Sequence, residues 1–461
     1  AGFSAALAGA GAAGFSGVLA VGAGAGATGF SAALVVVSAG LAAAGLAASA
    51  GLAVSAADFT ADGAATGFST LVGVLDSLVT GVPVGSFFFG MNQSSESLDE
   101  IEARHGALPL PLDIENESNP SLKQSPSWRQ QHFTRKINVD LFVKMFRHDY
   151  SFDPTYGYDL HSLLNIAAPS EPTDFAAFWQ ALYGRARSIA VAPTLREMPS
   201  PYSRTRVFEV AFDSLDGTRI RGWLTRPRDD RVERGVVLGH GYGGREGPDF
   251  HFPLQRAAMI FPCARGISRS ARADVSSNPD AHVLHGIERR ETYILGGCAA
   301  DTVWCAASAL LELFPTAARR LDYLGISFGG GVGALALPWD ERFHRAHLNV
   351  PSFGHHPLRL SMPCVGSGES IRRYQQQTGR ALETLRYFDA AVAARHIRIP
   401  MHVAAAHFDP AVPPPGQFAI YNALAGPKEL YVLQAGHFDH AGTAAEETRL
   451  LDALAYFFNR G

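Results

Sequence analysis

The stretch Leu321-Asp-Tyr-Leu-Gly-Ile-Ser327-Phe-Gly-Gly-Gly-Val-Gly-Ala-Leu-Ala-Leu337 decides the reading of this chain. Leu321 to Ile326 is an apolar run of strand length, and the small residues from Gly329 to Leu337 suit a helix. Between them stands Gly325-x-Ser327-x-Gly329. A serine on so sharp a strand-to-helix turn takes a strained backbone conformation with its hydroxyl exposed above a sheet. Glycine is needed on either side, because a Cβ there would strike the neighbouring strand or helix. The chain holds 47 glycines. Composition alone then yields the pattern ~0.3 times, so its flanking elements carry more weight than the motif.

Outward from this turn, strands alternate with helices. Val207 to Phe212 alternates as a strand, Asp216-Gly217 turns it, and Arg219 to Leu224 returns as a hairpin. Gly235 to Gly239 is a short buried strand ending in His240-Gly-Tyr-Gly-Gly244. Thr173 to Tyr183 is a helix with a Thr cap and Phe175, Phe178, Trp179 and Leu182 on one face. A second helix spans Ala299 to Phe314, strands follow at Met401 to Ala406 and Glu429 to Leu433, and a helix closes the chain from Thr443 to Phe458. The fold class is α/β: a doubly wound, mostly parallel sheet of the α/β-hydrolase kind, with an N-terminal extension.

A nucleophilic serine needs a base, and the base needs an orienting carboxylate. In such sheets the order is Ser, Asp or Glu, His, each on a loop after a strand. Asp409 in His407-Phe-Asp-Pro and His437 in Gln434-Ala-Gly-His-Phe meet both requirements behind Ser327. Asp439 and Asp389 compete for the acid role, His440 and His407 for the base. Asp439 stands too near His437 in sequence to reach the far ring nitrogen, and Asp389 reads as a helix-end or packing residue. Two backbone N–H groups, of Phe328 and of Tyr242 in the His240 loop, are the candidate oxyanion donors. A structural alternative keeps His240 as a buried, hydrogen-bonded turn residue.

The 461 residues carry 39 basic and 43 acidic side chains, a formal net charge of −4. No basic cluster points to nucleic acid. Cys263, Cys298, Cys305 and Cys364 lack metal or disulfide spacing. Cys298 and Cys305 read as buried thiols, and a reducing, cytoplasmic setting is the expectation.

Residues 1–90 differ in kind, being almost wholly Ala, Gly, Val, Leu, Ser, Thr and Phe, with no charge before Asp58 and no Lys or Arg before Arg104. Gly-Phe-Ser recurs at Gly2, Gly14, Gly29 and Gly67 without a fixed period. Ala32 to Ala57 passes a length test for a membrane helix but has no basic flank and is diluted by small residues, so a membrane role is not expected. Three readings compete: a low-complexity arm of helices or strands, a membrane or assembly segment, and side chains foreign to the native protein. The last is favoured, because Met91-Asn-Gln-Ser-Ser-Glu reads as an ordinary start. Residues 91–170 form an arm or linker, with a capped helix at Ser94 to Arg104, a proline-marked loop and an undecided element at Asn138 to Phe146. The α/β-hydrolase domain covers 171–461.

From about Thr173 to Gly442 the chain resembles the acetyl xylan esterase and cephalosporin C deacetylase family, carbohydrate esterase family 7. The resemblance rests on Asp174-Phe-Ala-Ala-Phe-Trp179, Gly222-Trp-Leu224, His240-Gly-Tyr-Gly-Gly244, Arg265-Gly266, Gly325-Ile-Ser-Phe-Gly-Gly-Gly331, Tyr387-Phe-Asp389, Tyr421-Asn422, Gly426-Pro-Lys-Glu429 and Gly436-His437. It implies Ser327, Asp409 and His437 as a triad, the Tyr242 and Phe328 N–H groups as an oxyanion hole, and Arg265 beside the site. It further implies deacetylation of small acetylated sugars or similar alcohols without metal or cofactor, and a homo-oligomer. The family's Arg-Gly-Gln, Gly-x-Ser-Gln-Gly and His-Glu stand here as Arg265-Gly266-Ile267, Gly325-Ile-Ser327-Phe328-Gly329 and His437-Phe438. These three polar-to-apolar changes predict a drier pocket and put the sugar preference in question. Acyl transfer to an alcohol other than water, and an inactive assembly module on the same fold, are the rival functions.

Overall fold

The computed structural model describes residues 3–8, 18–26, 29–36 and 146–460. The chain forms two compact units, Ala1–Gly85 and Ser86–Gly461. In the first, β1 (Phe3–Ala8), β2 (Val18–Gly26) and β3 (Gly29–Val36) make an antiparallel sheet in that order. The apolar stretch from Ala32 begins inside β3, and its remainder to Ala57 lies outside the described residues. So do the expected helix at Ser94 to Arg104, the proline-marked loop and all of Asn138 to Phe146 except Phe146 itself.

The second unit holds a nine-stranded sheet in the order β12-β11-β10-β9-β7-β8-β6-β5-β4. The strands are β4 (Thr194–Met198), β5 (Thr205–Asp213), β6 (Arg219–Pro227), β7 (Arg234–Gly239), β8 (Ala257–Pro262), β9 (Leu321–Ile326), β10 (Phe343–Asn349), β11 (Met401–Phe408) and β12 (Lys428–Ala435). From β8 to β12 every neighbouring pair is parallel, while β4, β5 and β6 add an antiparallel edge. The chain leaves β8 on one side of β7 and re-enters as β9 on the other. That reversal opens a crevice at the carboxyl ends of β7 and β9, where open α/β sheets hold their sites.

The main helices are α1 (Leu160–Leu164), α2 (Phe175–Arg187), α3 (Ile294–Leu313), α4 (Phe328–Ala336), α5 (Ser367–Thr378), α6 (Pro414–Ala423) and α7 (Thr443–Asn459). α3 is long and apolar enough to cross a membrane, but it lies in the core, where Cys298, Val303, Trp304 and Leu310 are fully buried. It starts five residues before the expected Ala299. Gly297 in its first turns lies where a Cβ would meet the Arg265 guanidinium at 2.4 Å.

Three further differences have local causes. Thr173 does not cap α2. Asp174 is the N-cap residue, and its carboxylate instead accepts from Tyr387 Oη at 2.6 Å and Arg290 Nη1 at 2.7 Å. Strands β4, β8 and β10 escape the sequence pattern; β10, Phe-His-Arg-Ala-His-Leu-Asn, carries three polar cations or imidazoles inside the sheet. Packing does not change at residue 170 either: Leu163 is fully buried, and Asn422 Nδ2 donates to the Leu163 and Ile166 carbonyls at 2.9 Å each.

All four cysteines are buried and free. Burial also drives six histidines among the described residues toward the neutral form: His240 and His402 fall to about 4, His356 to about 3, and His282, His347 and His407 fall below the ordinary imidazole value. A histidine depressed in the folded state is protonated first in the unfolded chain, so its contribution is complete above about pH 6.5 and is lost as the pH falls toward 4. Burial raises the carboxyls of Asp322 and Asp389, which act in the opposite sense. Melting curves are therefore expected to show a Tm at pH 5 at least ~5 °C below that at pH 7. Equal values would contradict the burial of these imidazoles as neutral groups.

Candidate active site

Ser327 is the N-cap residue of α4 and holds φ 51°, ψ −112°. A non-glycine residue rarely occupies this region. Neighbours enforce it. A Cβ on Gly325 would lie 2.5 Å from the Gly329 carbonyl oxygen, and one on Gly329 would lie 2.5 Å from the Gly239 carbonyl carbon. The helix thus presses on both β9 and the end of β7. Gly329 N–H donates to the His240 carbonyl at 2.8 Å, and Tyr323 Oη donates to the Gly329 carbonyl at 2.7 Å. Tyr323 is fully buried and was not singled out from sequence.

Asp409 and His437 reach the same crevice from the ends of β11 and β12. His437 Nε2 is 2.9 Å from Ser327 Oγ, and Nδ1 is 2.8 Å from Asp409 Oδ2. A carboxylate can only accept, so Nδ1 carries the proton and Nε2 is left to accept from the serine hydroxyl. Asp409 is fully buried. Its Oδ1 accepts from the Ala411 and Val412 amides at 2.9 Å each, and Oδ2 also accepts from Gln417 Nε2 at 2.9 Å. Four donors replace the water the carboxylate has lost, which is what keeps a buried anion tolerable. Gly436 permits the approach of the two loops: a Cβ there would sit 2.4 Å from Asp409 Oδ2.

The competitors lie elsewhere. Asp389 caps the short helix Ala390–Ala394, accepting from Ala391, and from the His355 and His356 amides at 3.0 and 2.6 Å. Asp439 is exposed. His440 accepts from the Gly442 amide at 3.0 Å and faces Glu446. His240 is buried: Nδ1–H donates to the Gly241 carbonyl at 2.6 Å and Nε2 accepts from the Ala264 amide at 2.9 Å. It is the turn residue of the structural alternative.

Phe328 N–H opens α4, where no intrahelical acceptor exists, and Tyr242 N–H lies in the turn 241–244. Neither has an acceptor among the described residues. Their rings pack tilted at 38° with centroids 4.4 Å apart. Arg265 supports this turn from behind. Its Nε and Nη2 pair with Asp301 at 2.7 and 2.9 Å, and its carbonyl accepts from His282 Nε2 at 2.9 Å. His282 Nδ1 in turn faces Tyr242 Oη at 3.4 Å. Burial opposes the Arg265 cation, but Asp301 outweighs it and its pKa is raised. Asp301 stands in the π-helical turn Ala300–Cys305 of α3, a local widening common where a helix serves a site.

The expectation of a drier pocket needs correction in its location. Phe328 and Ile267 are 1% and 3% exposed and pack into the core. Only Phe438, half-buried beside His437, stands at the surface of the site. Sequence reading also missed Ser352, whose Oγ lies 3.5 Å from Ser327 Oγ, and Gln417, which bridges Asp409 to the Ala406 amide. The cleft of about 510 Å³ between α2 and the start of α3 is lined by none of Ser327, Asp409 and His437. Geometry, not cleft size, therefore locates the candidate site.

The profile of the acetyl xylan esterase (AXE1) family matches residues 162–452. Acetyl esterase Axe7A of Xylanibacter ruminicola is 22% identical over 278 residues, which cover 56% of this chain and 61% of that protein. This chain thus spans about three-fifths of that relative's length. Acetyl xylan esterase from Paenibacillus sp. R4 superposes with a TM-score of 0.56 at 21% identity, covering 64% of this chain and 99% of that one. Acetyl Xylan Esterase 1 from Thermoanaerobacterium sp. JW/SL YS485 gives a TM-score of 0.56 at 19% identity, covering 66% and 99%. These two structures share the α/β-hydrolase architecture with this chain. With its profile match running across most of the second unit, the chain belongs to the acetyl xylan esterase family of carboxylic ester hydrolases.

Proposed function

We propose that this protein hydrolyses short-chain, chiefly acetyl, esters of small carbohydrates or related alcohols through Ser327, His437 and Asp409. The observation that carries the proposal is the unbroken hydrogen-bond chain from Ser327 Oγ through both imidazole nitrogens to a buried carboxylate. Ser327 Oγ attacks the acyl carbon as its proton passes to His437 Nε2. The carbonyl oxygen takes the negative charge and is met by the Tyr242 and Phe328 N–H groups, each worth ~3–4 kcal/mol to the transition state. Asp409 holds the ring and stabilises the imidazolium. The imidazolium then protonates the departing alcohol oxygen, the C–O bond breaks, and an acyl-Ser327 ester remains. Water, deprotonated by His437, attacks that ester and releases the acid, returning the proton to Ser327.

Ser327→Ala removes the nucleophile while leaving the fold's core untouched. Its rate on p-nitrophenyl acetate is expected at least ~10³-fold below the unsubstituted protein, and equal rates would refute the proposal. Gly436→Ala tests the pairing of the loops. Its Cβ must displace the Asp409 carboxylate, and a shift of about 1 Å there costs ~10²-fold in kcat. A variant that keeps the full kcat would show that the contact of Asp409 with His437 is not needed.

A further inference from the structure

Residues 146–156 precede the family-matched segment 162–452, yet they pack on the two loops that carry Asp409 and His437. In Phe146-Arg-His-Asp-Tyr-Ser-Phe-Asp153 the side chains alternate: Phe146, His148, Tyr150 and Phe152 are half-buried, while Arg147, Asp149, Ser151 and Asp153 are exposed. An extended chain with a period of two places the four rings on one face. That face meets the site. The Phe146 ring lies 5.1 Å from Phe408 and 5.6 Å from Phe438, between centroids, and these two rings are themselves 5.1 Å apart. Phe408 immediately precedes Asp409, and Phe438 immediately follows His437. His148 adds a contact to Phe408 at 5.4 Å and Tyr150 one to Phe438 at 6.4 Å.

Polar anchors fix the same segment. The Pro154 carbonyl accepts the amide N–H of Asp409 itself at 3.1 Å. Asp153 accepts from Thr155 N and Oγ1 at 2.9 and 2.7 Å, shaping the turn, and Tyr156 Oη donates to the Pro363 carbonyl at 2.8 Å. Burial and then the nearby Asp409 charge push the Tyr150 phenol up. An aromatic at 438 thus has a partner outside the hydrolase sheet, in a segment the family profile does not reach.

We propose that the strap Phe146–Tyr156 is a positioning element of the active site, bridging Phe408 to Phe438 so that Asp409 and His437 keep the spacing that aims the imidazole at Ser327. The proposal rests on reading those three residues as the triad. Phe146 packs on one ring from each loop, so truncating it or Phe438 should release the same constraint.

The experiment uses the full chain and p-nitrophenyl acetate, well below each variant's melting temperature. Phe146→Ala and Phe438→Ala are each expected to lower kcat about tenfold with KM within about twofold. The double variant should be little worse than either single one, and Phe146→Tyr should restore most of the loss. Arg147→Ala, on the exposed face, should match the unsubstituted chain. If Phe146→Ala does not fold, Phe146→Leu, which keeps bulk but not the ring, takes its place with the same readouts. An unchanged kcat, a rise in KM alone, or fully additive losses would overturn the proposal. Ser327→Ala run in parallel separates the two claims: its inactivity beside an unaffected Phe146→Ala removes only the strap, whereas its full activity removes the triad reading itself.

Discussion

The close approach of α4 to the ends of β7 and β9, possible only where Gly325 and Gly329 lack a Cβ, lifts Ser327 out of the sheet into the crevice. At 2.5 Å from backbone atoms on either side, no other residue could stand at these positions without parting the helix from the strands. The Gly329 amide, held by the His240 carbonyl, and its carbonyl, held by Tyr323, fix the depth of that contact. Ser327 then has nowhere to go but the left-handed region. The cost of that conformation is borne by packing around it.

The same constraint reaches the rest of the site. Once α4 is seated, its first N–H points into the crevice beside the Tyr242 turn, and the tilted, contacting rings of Phe328 and Tyr242 hold the two segments together. Behind them, Arg265, His282 and the π-helical turn at Asp301 form a buried polar support with its charges paired. On the other side, a second glycine contact, Gly436 against Asp409, plays the corresponding part for the loops that carry Asp409 and His437. Both halves are thus set by backbone groups that approach too closely for any side chain.

Much of this was legible in the sequence, and the reason is local. Ser327, Asp409 and His437 each follow a strand whose apolar run is visible, and their chain order matches the order of sites along such a sheet. The hairpin at Asp216-Gly217 is legible because positive φ at both residues demands a turn. What escaped depends on contacts far apart in the chain. Gln417 bridges Asp409 to β11 from within a helix that begins with Pro414-Pro415, an unpromising start. β10 hides because polar residues interrupt its apolar run, and one of them, His347, is buried facing His402 inside the sheet, at 3.0 Å between Nδ1 atoms. The consequences of Phe328 and Phe438 were misjudged together. Nothing in the linear pattern tells that the first ring turns into the core and the second meets Phe146, nearly three hundred residues earlier.

The central claim is that the serine on the strained turn is a nucleophile activated by His437. The direct measurement is covalent labelling by a fluorophosphonate, followed by mass mapping of the adduct in the full chain and in His437→Ala. The account predicts a single adduct on the peptide that carries Ser327, forming at least ~10²-fold more slowly in His437→Ala. An adduct elsewhere, no adduct at all, or equal rates in the two proteins would contradict it.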